Sequence, residues 1–109
     1  MSTITLDQLN EDAMKIILHA GDAKLLLNEA FTALSKKQEK EFHQKMNEAQ
    51  QKIIEGHKVQ TKCLQAQMEL SENIFSVLLA HAQDTIMTVK SEYEMIEKIS
   101  MLYLGGSHE

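Results

Sequence analysis

Apolar residues recur every three or four positions along almost the whole chain, and no stretch sustains the alternation of a strand. The pattern predicts three long amphipathic helices. The first spans about residues 6–34, with Thr5 or Asp7 as its N-cap and Ile16, Ile17, Leu25, Leu26 and Leu27 among its apolar positions. The polar run SKKQEK breaks it and offers Ser35 as a new cap. The second spans about 38–68, with Phe42, Met46, Ala49, Ile53, Ile54, Val59, Cys63 and Leu64 on one face. ELSEN is the second break, with Ser71 as cap. The third helix spans about 72–104, and Gly105 is its expected stop. Short turns between long helices make neighbours antiparallel, so the subunit is expected to be an all-α, up-down-up three-helix bundle. Residues 1–104 form its single domain, and 105–109 read as a flexible tail.

The third helix carries more apolar surface than such a bundle uses. One line holds Phe75, Leu78, Ala82, Val89, Tyr93 and Ile96. A second, offset around the helix, holds Ile74, Val77, His81, Asp84, Thr88, Met95 and Leu102. The first suffices to pack against the other two helices. The second implies a further surface, most simply another copy of the same helix; a wider core face is the alternative.

Composition sharpens this picture. The 109 residues contain no proline, so nothing forces a break in a long helix, and seven methionines suit irregular helical cores. The net charge is −5 and arginine is absent, which argues against a nucleic-acid partner. A lone cysteine, Cys63, excludes an internal disulfide and fits a reducing compartment. The opening, MSTITLDQLN, does not read as a signal peptide, and no run approaches the roughly 20 apolar residues of a membrane span. A cytoplasmic protein is expected.

Polar residues interrupt the third helix at His81, Gln83 and Asp84. His81 and Asp84 are three apart and share a side of the helix. An imidazole near neutral pH has a large unprotonated fraction and therefore a nucleophilic nitrogen. Ala80 and Ala82 leave room beside His81 for a large partner; the alternative is an ordinary edge histidine paired with a carboxylate. If the second line lies on a symmetry axis, several Asp84 carboxylates converge there, which is costly unless they are protonated or bridged by a hard cation such as Mg²⁺. The alternative is a solvated aspartate. His57 and Cys63 do not have local zinc spacing, and Cys63 reads as a small buried hydrophobe. His43 and His108 read as exposed. Gly21, beside His19, suggests a close approach between helices.

The stretches ILHAGDAK, EGHKVQTKCLQ and above all HAQDTIMT resemble the three signature regions of the enzyme IIA component of the lactose/cellobiose family of the sugar phosphotransferase system, and the likeness runs from about Leu9 to Leu104. The resemblance implies a homotrimer of three-helix subunits, nine helices in all. It also implies that His81 accepts a phosphoryl group from the general phosphocarrier protein. His81 then passes it to a cysteine of enzyme IIB for uptake and phosphorylation of a disaccharide by way of the membrane component IIC. Asp84 would hold a divalent cation at the trimer axis, with Gln83 and Thr85 in support. The family pattern has a second histidine after the aspartate where this chain has Thr85, and the turn QMELSEN lacks the family's glycine. The alternative is a non-catalytic or regulatory helical trimer of the same ancestry, or a purely structural oligomer.

Overall fold

The computed structural model describes residues 5–68 and 75–105. They form α1 (Leu6–Ser35), α2 (Glu39–Met68) and α3 (Val77–Tyr103), with no strand among the described residues. The body is a rod of 55 × 23 × 21 Å, elongated because 30-residue helices, each about 45 Å long, lie side by side. Packing is unequal. α1 lies against both other helices, while α2 and α3 touch far less.

Local chemistry sets the ends. Thr5, not Asp7, caps α1. Its hydroxyl accepts from the Gln8 amide at 3.2 Å and the Gln8 side chain accepts from the Thr5 amide at 3.0 Å, a reciprocal box that satisfies two orphan donors. The α1–α2 turn closes when the Gln38 and Lys37 amides donate to the carbonyls of Ala33 and Leu34, both at 2.9 Å. That pairing requires a left-handed residue, and Lys37 supplies it with φ 56°. Ser35 therefore ends α1 rather than opening α2; its hydroxyl donates to the Thr32 carbonyl.

α3 begins at Val77, five residues later than the periodicity suggests, because Ser76 caps it: the Leu79 amide donates to the Ser76 hydroxyl at 2.9 Å. The same hydroxyl donates to Asn10 on α1 at 2.6 Å, so the cap also fastens α3 to α1. The expected cap at Ser71, the turn QMELSEN beyond Met68, and the tail beyond Gly105 lie outside the described residues. Gly105, at φ 79°, ends α3 as expected.

The core follows the 3.6-residue period. Leu9, Ile16, Leu27, Phe42, Cys63 and Ile86 are fully enclosed. Each large apolar side chain so placed contributes roughly 1.5–3 kcal/mol. Several sequence expectations shift. Leu25, Ile54 and Leu64 are exposed, and Phe75 lies outside the core, while Leu79 and Ile86 take its place on α3. The close helix contact is at Gly56, not Gly21. A Cβ at Gly56 would stand 2.9 Å from the Ile86 side chain and 3.5 Å from His19 Cβ, whereas one at Gly21 would meet nothing within 4 Å. The three sequence stretches singled out above thus meet at one point of the core.

The second line of α3 faces outward. Val77 is 72% exposed, Met95 57% and Leu102 85%, and His81, Asp84 and Thr88 share that open side.

Candidate functional site

His81 stands one turn into α3, exposed, at the rim of a groove of about 580 Å³. The groove lies between the start of α1 and the start of α3. Among the described residues its walls are Leu6, Asn10, Phe75, Ser76, Val77 and Leu78, mostly apolar and without a cation. Ser76 is buried and holds this end together through its bonds to Asn10 and Leu79, so the helix turn that carries His81 is fixed from both sides.

The neighbours in the polar run divide around the helix. Gln83 is about 200° from His81 in projection and half-buried, so the two side chains leave opposite sides of α3. Thr85 is one turn along on the His81 side, but its hydroxyl donates to the His81 carbonyl at 2.8 Å. Its proton is committed to the helix backbone, which leaves oxygen lone pairs outward. Asp84 is exposed, and no ion pair among the described residues engages it. Thr88 donates to its backbone carbonyl at 2.9 Å. Among the described residues no group of three or more His, Cys, Asp or Glu could hold a metal ion. One chain thus offers a hard cation a single free carboxylate, which fits such an ion only if other copies add theirs.

Elsewhere the polar interior holds a pair that the periodicity could have flagged. Asp12 falls on the apolar stripe of α1 between Leu9 and Ile16, and it is buried. The Cys63 thiol donates to its carboxylate at 3.5 Å, and Lys15 reaches the other oxygen at 3.7 Å. Burial, and then the nearby Asp12 charge, push the Cys63 thiol up to about 11. A thiol so held stays protonated and unreactive at neutral pH. On α2, His57, Lys58, Thr61, Lys62, Ile54 and Gln65 line a separate groove of about 390 Å³. His43, exposed as expected, lies edge-on to Phe42. No described helix is long and apolar enough to cross a membrane.

Comparison with known proteins gives this geometry its context. The family model of the lactose/cellobiose-specific IIA subunit of the phosphotransferase system matches residues 11–104. The chain is 29% identical to the lactose-specific EIIA component of Staphylococcus epidermidis, over 93% of its own length and 97% of that protein. It is also 29% identical to the N,N'-diacetylchitobiose-specific EIIA component of Escherichia coli K12, over 89% of this chain and 84% of the other. Among solved structures it superposes on PtcA from S. mutans with a TM-score of 0.86 at 31% identity, covering 92% of this chain and 98% of that one. On the cellobiose-specific enzyme IIA of Bacillus anthracis the TM-score is 0.79 at 28% identity, covering 94% and 91%. The matched span takes in most of α1, all of α2 and α3, and His81, and the chain belongs to the lactose/cellobiose family of phosphotransferase-system IIA components.

Proposed function

We propose that the protein is a cytoplasmic phosphohistidine carrier, with His81 as the residue that bears the phosphoryl group. The observation that carries this reading is an exposed, unencumbered imidazole at the rim of an apolar groove, on a rigidly capped helix, in a chain of this family. A neutral ring nitrogen of His81 attacks phosphorus on the phosphorylated general phosphocarrier protein. The new N–P bond forms as the donor's bond breaks. A thiolate of enzyme IIB then attacks the same phosphorus, the His81 bond breaks, and the imidazole returns to its neutral state. Such transfer needs in-line positioning and charge stabilisation more than acid–base chemistry. Two partners use the site in turn, and the apolar walls suit a surface shared between them. The sugar itself is met only by the membrane component IIC.

The working unit in this reading is a homotrimer built on the outward line of α3. Val77, Met95 and Leu102 are large apolar groups that the isolated subunit leaves in water. Three copies around an axis bring three Asp84 carboxylates together, and a divalent cation such as Mg²⁺ would then neutralise them. Gln83 and Thr85 play at most a supporting part, since one leaves the opposite side and the other has spent its proton.

The replacement of the family's second histidine by Thr85 favours a second reading, a regulatory trimer that transfers slowly or not at all. One experiment decides. With phosphoenolpyruvate, enzyme I and the phosphocarrier, the protein should gain the mass of one phosphoryl group per chain, in an acid-labile, base-stable bond. His81→Ala should gain none while keeping its helicity. An unlabelled wild type would favour the regulatory reading, and label persisting in His81→Ala would reject His81.

A further inference from the structure

We propose that the basic groove on α2 holds the phosphoryl group carried by His81 of a neighbouring copy. This inference rests on the carrier reading of His81. It starts from an absence of charge. A phosphoryl group brings about −1.5 to −2 at neutral pH. Among the described residues the groove at His81 has no cation in its walls, and the Thr85 proton points to a backbone carbonyl. On α1, Lys15 is tied to Asp12.

The groove on α2 has the complementary imbalance. Lys58 and Lys62 are four apart, exposed on one side of the helix, and neither has an ion pair among the described residues. Like charges at that spacing are mildly destabilising in a bare helix, and here they stay unpaired in a chain with 16 acidic residues. Between them Thr61 offers a hydroxyl. His57 also lines the groove, but its Nε2 is enclosed and has no hydrogen-bond partner among the described residues, so the exposed donors here are the two lysines and Thr61. A concave patch of cations and donors is what an anionic group requires.

Height along the rod links the two places. Contacts between α1 and α3 join residues 66 to 68 positions apart, at Asn10–Ser76, Lys24–Glu92 and Ser35–Tyr103. His81 therefore stands level with residues 13–15 of α1. Those residues lie between Asp12 and His19, which meet Cys63 and Glu55 on α2. The α2 segment level with His81 is thus residues 55–63, which contains His57, Lys58, Thr61 and Lys62. Rotation about an axis parallel to the rod keeps every residue at its height. A closed ring of copies uses two different faces of each chain at every interface. With the α3 line as one face, the α2 groove of the next copy arrives at the level of His81.

The test uses the full-length protein, phosphorylated enzymatically and followed by ³¹P NMR against pH. In Lys58→Gln/Lys62→Gln the phosphohistidine should titrate about one pH unit higher than in wild type, because two favourable charges are gone. Lys58→Arg/Lys62→Arg should restore the low value. Trimers re-formed from equal amounts of His81→Ala and Lys58→Gln/Lys62→Gln chains should show some phosphohistidine with the wild-type titration. Every labelled chain in that mixture lacks its own two lysines, so only a neighbour can supply them. A double variant that titrates like wild type, or a mixture that titrates wholly like the double variant, would overturn the inference alone. A wild type that takes no label on His81 would overturn it together with the carrier reading.

Discussion

Cys63 shows how much one buried contact fixes. Its thiol is enclosed and hydrogen-bonded to Asp12, with its titration moved up to about 11 from an ordinary value near 9.0. The folded chain therefore holds this proton more tightly than the unfolded chain does. The stability linked to that proton is fully present below about pH 9 and is lost as pH rises toward 11. The urea midpoint of the wild type should fall across that window more steeply than that of Cys63→Ser, which keeps a donor to Asp12 but cannot ionise there. Equal slopes would mean that the thiol is not held as described. The sequence identified Cys63 as buried but did not single out its partner Asp12. The period that placed Leu9 and Ile16 in the core also placed Asp12 there; its charge hid the pattern.

At the scale of the helices, the elements were legible because all three obey one period over some 30 residues. Their ends and contacts were harder to read. Ser71 and Ser76 are equally good caps by type, and only the partner Asn10 on another helix selects Ser76. Gly21 and Gly56 are likewise alike in sequence, both interior to helices and both followed by a polar residue. Which one permits close approach depends on where Ile86 arrives from α3. The two should part cleanly on substitution. Gly21→Ala adds a methyl in open space and should raise stability by about 0.5–1 kcal/mol through helix propensity. Gly56→Leu would force Ile86 and His19 aside and should lower stability by about 1–3 kcal/mol. Chemical unfolding of both variants measures the contrast, and a tolerated Gly56→Leu would show that the core there is looser than its distances indicate. The exposure of His81 on α3 was legible from its polar run on an apolar helix; the engagement of the Thr85 hydroxyl with the backbone was not, because threonine type says nothing about where its proton goes.

For the whole molecule, the proposed trimer can be probed at Asp84. In that trimer Asp84→Leu would remove three facing charges and should keep or tighten the assembly in sedimentation equilibrium, while any dependence of thermal stability on Mg²⁺ disappears. A variant that falls to monomers would show that Asp84 makes an indispensable contact instead.

The unequal packing of the rod carries a last consequence. α1 is gripped on two sides, but α3 leans mainly on α1 and leaves its outward line in water. In a lone subunit α3 should be the helix that opens most readily, and its amides should exchange with solvent deuterium sooner than those of α1. Association through α3 would reverse that order by closing its free side. Amide exchange in α3 should therefore slow as protein concentration rises, while that in the buried stripe of α1 changes little. The helix that bears His81 would then be quiet only in company, and exchange rates that ignore concentration would place the contact between copies on another face.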